Sequence, residues 1–209
     1  MATTSKLAAP ELAGIEVHGM TRSAFIVRGA LAAGAVYGAG VVAPFVSEAV
    51  GQTGGGDIDI VNFALTLEYL ETDFYAKALK LGLSGEVKKL ATLIHDDEAQ
   101  HVDALTATVT KLGGTPAKKP TFSFPDTNEK SFLKLAQTLE DTGVSAYNGA
   151  APSIASKDVL SAAGTIVQVE ARHAAAIRLK NGASPAPNAF DKALTKDSVL
   201  AAVKPFIKA

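Results

Sequence analysis

From Asp57 to Gly182 apolar residues recur every three to four positions, the period of amphipathic helices, in four stretches broken by Gly and Pro. The first stretch runs from Asp57 to about Lys80, with Asp57 or Asp59 as N-cap and Gly82 past its end. Ile60, Phe63, Ala64, Leu67, Leu70, Phe74 and Ala78 form its apolar stripe. The second opens at Ser84, carries Leu90, Ile94, Val102, Leu105 and Val109, and stops at Gly113-Gly114. The third runs from about Asn128 to Ala150, through Phe132, Leu135, Ala136, Leu139, Val144 and Tyr147, with Pro152 marking the break. The fourth runs from about Lys157 to Lys180 and ends at Asn181-Gly182. Two short connections flank one long, Pro- and Lys-bearing one, Thr115 to Pro125. This order predicts an all-α fold, a four-helix bundle with one long crossover over residues 57–182. Residues 183–209, with Pro185, Pro187 and Pro205, predict short C-terminal helices packed on the outside of the bundle.

The two helix pairs are repeats of each other at an offset of 72 residues, with no gap. Glu68, Tyr75, Glu98 and His101 recur as Glu140, Tyr147, Glu170 and His173. Ala64, Leu67, Ala91, Ile94 and Ala104 recur as Ala136, Leu139, Ala163, Ile166 and Ala176. The chain has only four histidines, so a repeated histidine carries weight. The repeat predicts a pseudo-twofold bundle with its repeated polar residues meeting near the axis.

Those polar residues lie in the apolar stripes. Glu98 sits among Ala91, Ile94, Val102 and Leu105, and Glu170 among Ile166, Val167, Ala174 and Ile177. Positions i and i+3 share a helix face, so Glu98 with His101, and Glu170 with His173, can approach one ion together. Four uncompensated carboxylates in a core cost several kcal/mol each, on the order of a domain's whole stability. Two divalent ions offset four carboxylates, and two imidazoles add neutral nitrogen ligands. The six candidate metal ligands are therefore Glu68, Glu98, His101, Glu140, Glu170 and His173, with Glu98 and Glu170 bridging and Glu68 and Glu140 capping opposite sides. Glu71, one turn beyond Glu68, is a candidate for a place behind the ligands or for a ligand itself, and His95, one turn before Glu98, for a place behind Glu98 or for a partly exposed helix histidine. Tyr75 and Tyr147 are candidates for hydrogen-bonding a ligand carboxylate, for an oxidisable role beside the metals, or for plain core aromatics.

The segments Leu67-Glu68-Tyr69-Leu70-Glu71, Glu98-Ala99-Gln100-His101, Leu139-Glu140 and Glu170-Ala171-Arg172-His173 resemble the ferritin-like superfamily, in particular the bacterial ferritin-like and desiccation-related proteins. The resemblance covers about Asp57 to Gly182 and fills all six family ligand positions. It implies a pair of carboxylate-bridged ions, iron first and manganese next. It also implies chemistry with dioxygen or hydrogen peroxide, as a ferroxidase or a catalase-like enzyme. A rubrerythrin-type peroxidase ranks below these, because its cysteine-ligated iron needs cysteines that this chain lacks. The alternative is a non-catalytic metal-binding or stress-protective bundle.

Composition narrows the field further. Of 209 residues, 47% are hydrophobic, which fits one globular domain with a sizeable core. Twenty basic against 21 acidic residues give a net charge of -1 and no reason to expect nucleic acid as partner. The absence of cysteine excludes disulfides, zinc fingers and thiol catalysis within the chain. Residues 1–49 read as an export signal: a charge-free run at 29–46 follows Arg22 and Arg28 and precedes Ser47-Glu48-Ala49. Thr21-Arg22-Ser23-Ala24-Phe25-Ile26 is a degraded twin-arginine pattern, with Ser23 in place of the second Arg. The other reading is an N-terminal helix of a cytoplasmic protein. Residues 50–56 read as a linker. After processing, no stable membrane span is expected, and a homo-oligomer is left open.

Overall fold

The structure is a computed structural model that describes residues 56–125 and 128–208. The segment read as an export signal and nearly all of that read as a linker lie outside the described residues. Four long helices dominate: α1 (Asp57–Ala78), α2 (Gly85–Lys111), α3 (Glu129–Ala150) and α4 (Lys157–Lys180). A short α5 (Lys196–Val203) and 3-10 turns at Ala151–Ser153 and Lys204–Phe206 complete the order. Among the described residues there is no strand, only an isolated bridge between Phe122 and Ile207.

Local chemistry sets the helix ends. Asn128 caps α3 by accepting from the Ser131 amide at 3.1 Å, while the Ser131 hydroxyl accepts from the Asn128 amide at 3.0 Å, a reciprocal pair that satisfies two orphan donors. Ser156 caps α4 through the Val159 amide at 3.3 Å. Gly113 and Gly182 take positive φ (81° and 72°) just beyond α2 and α4, the left-handed exit that an L side chain resists. The expected aspartate cap of α1 is not made: its N-cap is Gly56. The Asp57 carboxylate instead accepts from the amides of Ala155 and Ser156, both at 2.8 Å, and ties the start of α1 to the α3–α4 connection. Long-range contacts outbid the local cap here.

α1 packs on α2 and α3 on α4, and the pairs join along α1–α3 and α2–α4. α2, with 27 residues, is about 40 Å long. The crossover at 112–128 must travel back along that length to start α3. It does so beside α1: Asn62 donates to Thr115 O at 3.1 Å and accepts from the Ala117 amide at 2.7 Å, and Lys119 pairs with Asp73. The C-terminal extension closes over this face. Ser123 N–H donates to Phe206 O, Lys208 N–H donates to Thr121 O, and Leu194 N–H donates to Ser145 O on α3. Val199 and Val203 are buried, so α5 is part of the core.

The apolar core falls into two parts. One is built on Phe74, Tyr75, Ile94, Phe132, Leu139 and Ile177. The other is built on Val61, Leu65, Leu105, Val109, Val159 and Ile166. Along each helix the repeated polar residues lie between the two. None of the described helices is long and apolar enough to cross a membrane.

Candidate metal centre

Glu68 on α1, Glu98 on α2, Glu140 on α3 and Glu170 on α4 are all fully buried, each at 0% exposure. His101 and His173, one turn beyond Glu98 and Glu170, are buried with them. Ligand atoms of Glu68, Glu98, His101 and Glu170 lie within 4.8 Å of one another, and so do those of Glu98, Glu140, Glu170 and His173. Glu98 and Glu170 belong to both groups, which is the sharing that a bridged pair of ions requires. Each group could hold one ion, and the two imidazole rings are 6.3 Å apart.

Around His101 Nδ1 stand Glu170 Oε1 at 3.0 Å, Glu98 Oε2 at 3.1 Å and Glu68 Oε2 at 3.2 Å. A ring nitrogen has one proton or one lone pair to offer, so three oxygens at these distances exceed its hydrogen-bonding capacity. They converge as ligands converge on a cation. His173 Nδ1 faces Glu98 Oε1 at 2.9 Å and Glu140 Oε2 at 3.6 Å. Five buried side-chain polar atoms among the described residues make no properly aligned hydrogen bond, although Glu98 Oε1 and Glu170 Oε1 lie within 3.0 Å of an imidazole nitrogen: Glu98 Oε1, Glu140 Oε2, both Glu170 oxygens and His173 Nδ1. All five belong to this cluster. Orphaned buried polar atoms cost about 1–3 kcal/mol each, and more when charged. Their concentration in one place fits divalent ions held by carboxylate oxygen and imidazole nitrogen.

Without metal the electrostatics are strained. Burial, then repulsion from Glu170 and Glu68, lifts Glu98 well above the ordinary carboxylate range. Burial and the nearby Glu68 charge push Glu170 up to about 8. Burial also works to raise Glu68, but its hydrogen bonds to His101, Glu98 and Tyr147 outweigh that and hold it low. Burial opposes charging of both imidazoles, yet their carboxylate partners push His101 up to about 12 and His173 to about 11.

The tyrosines pair crosswise. Tyr75 OH donates to Glu140 Oε1 at 2.5 Å, and Tyr147 OH donates to Glu68 Oε1 at 2.5 Å. Each thus anchors the single glutamate of the opposite repeat, leaving that carboxylate's second oxygen for the cluster. Glu71 is buried against the same centre. Burial, then the charges of Glu170, Glu98, Glu140 and Glu68, drive it strongly towards its neutral form. Its repeat equivalent is Gly143, and a Cβ built there would lie 3.2 Å from Glu71 Oε1 and 3.3 Å from Glu170 Oε2. The missing side chain on α3 is the space that the Glu71 carboxyl occupies.

His95 is not brought to the cluster. Its Nδ1 faces Asp96 Oδ1, an exposed neighbour, at 3.1 Å, because one turn before Glu98 on α2 the face has already rotated towards solvent. The carboxylate behind a histidine is instead Asp97, which the sequence reading missed: its Oδ2 lies 3.1 Å from His173 Nε2. The only trace in the sequence is an acidic residue directly before Glu98, and its repeat equivalent is Val169. Asp97, Val169 and both histidines line a groove of about 540 Å³ between α2 and α4, together with Gln100 and Arg172.

Four antiparallel helices with a duplicated Glu and Glu-x-x-His set define the class of carboxylate–histidine bundle proteins. The model of the ferritin-like domain family matches residues 56–183, and the chain belongs to that family. A conserved hypothetical protein from Mycobacterium tuberculosis shares the fold, with a TM-score of 0.57 at 17% identity, over 62% of this chain and 99% of that one. No curated protein matches the chain.

Proposed function

We propose that the protein holds two divalent ions, iron in preference to manganese, and uses them in redox chemistry with dioxygen or hydrogen peroxide. The observation that carries this reading is the pair of overlapping ligand groups sharing Glu98 and Glu170. Glu68 and His101 would complete one ion's set, and Glu140 and His173 the other's. Oxygen-rich ligation with one imidazole per ion suits iron or manganese. Bound as a pair, two such ions supply two electrons to, or take two from, one dioxygen or peroxide. The protein's own residues do the rest. Tyr75 and Tyr147 fix the outer carboxylates, Asp97 orients the His173 ring, and the two apolar core regions flank the centre.

Metal titration of chelator-treated protein tests this. Two ions per chain are expected, and His173→Ala should retain one, held through His101. Uptake of none would refute the centre. Uptake of two with no consumption of dioxygen or peroxide would make the protein a non-catalytic metal binder.

A further inference from the structure

The 72-residue repeat duplicates the ligands but not the packing at the two ends of the bundle. At one end Phe74 and Phe132 stack with ring centroids 5.3 Å apart, and Tyr75 sits edge-on to both at 5.3 and 5.9 Å. One repeat away, Phe74 becomes Ala146 and Phe132 becomes Ile60. At that other end lies an apolar cavity of about 100 Å³, open to solvent beside Ala104, Ala162 and Thr165, bounded by Ile60, Leu67, Leu105, Ala146 and Ile166 and reaching Tyr147. The same fold fills this volume in one half and leaves it open in the other. The tyrosines register the difference: Tyr75 is 0% exposed and Tyr147 8%.

The cavity's chemistry narrows what it can take. Its lining is hydrocarbon apart from a few groups already engaged. Thr108 and Thr165 donate to Ala104 O and Ala162 O, both at 2.7 Å, and Tyr147 donates to Glu68. Water that enters finds few polar partners in this lining and is readily displaced by an apolar molecule of the kind that apolar cavities of about 150 Å³ accept, benzene or xenon. An ion or a strongly hydrogen-bonding molecule would lose its hydration without compensation. We propose that this cavity is a binding site for a small apolar molecule of dioxygen's class, placed against Tyr147 and so one hydrogen bond from Glu68. The polar groove over His101 and His173, with Asp97, Gln100 and Arg172, is the matching entrance for ions and hydrogen peroxide. The consequence for reactivity rests on the metal-centre reading, but the binding site itself does not.

Xenon is the probe. The metal-free full chain, pressurised with xenon and read by xenon NMR or diffraction, should take up xenon beside Tyr147. The double variant Ile60→Phe/Ala146→Phe, which writes the aromatic pair of the other half into this one, should abolish that uptake. Ala146→Leu serves as the milder filler if the double variant does not fold. In iron(II)-loaded protein the filled variant should slow oxidation by dioxygen by about tenfold, one decade in rate, with oxidation by peroxide little changed. Absence of xenon in the natural chain, or unchanged xenon uptake in a folded filled variant, overturns the site. Equal slowing of both oxidants, or of neither, overturns the assignment to dioxygen. Xenon uptake in a protein that takes no metal supports the cavity and overturns the metal centre.

Discussion

Removing the metal should make stability fall steeply as pH rises, and the size of the effect follows from the cluster. Glu170 moves from an ordinary value of 4.5 to about 8 in the folded chain. Between those values the native state holds a proton that the unfolded chain has released. Stability is therefore fully present below 4.5 and is lost as pH climbs through 8, at about 1.4 kcal/mol per pH unit for one proton. Over pH 5 to 8 that one group removes about 4 kcal/mol, a large share of a typical 5–15 kcal/mol. Glu98 and Glu71 are raised as well and act with the same sign. His101 and His173, raised from 6.5 to about 12 and about 11, add further losses above pH 6.5. Glu68 is lowered, so its contribution is lost only as pH falls below about 4.5, outside this window. Urea unfolding of chelator-treated protein at pH 5, 6, 7 and 8 reads the slope. Manganese-loaded protein should lose much of it, because the ions hold the carboxylates ionised and bind more tightly as protons leave. A metal-free midpoint that stays flat or rises from pH 5 to 8 would refute the burial of this cluster.

Asp97→Asn should weaken one ion by about tenfold or more, the usual cost of losing a carboxylate behind a ligating histidine, and leave the ion at His101 unchanged. Val169→Asp should supply the missing equivalent and narrow the gap between the two affinities; manganese titration followed by EPR of the free ion reads both. Gly143→Ala should weaken metal binding by crowding the Glu71 and Glu170 carboxylates, although alanine raises helix propensity by about 1 kcal/mol. A Gly143→Ala protein with both ions bound as before would show that Glu71 has room to move.

The four helices and the six repeated residues of the buried cluster were legible because each leaves a one-dimensional trace. A carboxylate in an apolar stripe is visible as an exception to the period, and its recurrence with a histidine three positions on is visible as a repeat. What was not legible depends on which faces meet. Tyr75 lies seven residues past Glu68, about 10 Å along the same helix, too far to bond it. Across the α1–α3 contact it meets Glu140 instead. Asp97 acts on a histidine 76 positions away, and no periodicity in α2 points there. The Glu71–Gly143 pairing was readable as a mismatch in the repeat, but only the approach of α3 to α1 turns the glycine into space for a carboxyl group. The cap at Asp57 was misplaced because local propensity could not weigh a partner 98 residues on.

The departures from the repeat are not scattered. Asp97 supports His173, whose group includes Glu140, and Glu140 is held by Tyr75 beneath the stacked phenylalanines. That half of the centre has a carboxylate on its histidine and a tyrosine packed among aromatic rings on its outer glutamate. The other half has Val169 where the supporting carboxylate would be, and its Glu68 is held by Tyr147 at the wall of the apolar cavity. A symmetric ligand set would bind two equal ions and give neither a preferred role. Here three mismatched repeat pairs, Asp97 with Val169, Phe74 with Ala146 and Phe132 with Ile60, brace one ion position and open the other. The Glu140–His173 position would then keep its ion, while the Glu68–His101 position exchanges its ion and meets a small apolar reactant. The Asp97 and Val169 variants test this division directly: Asp97→Asn should loosen the tighter ion and Val169→Asp should tighten the weaker one, whereas an intrinsically symmetric centre would respond to both substitutions at the same ion.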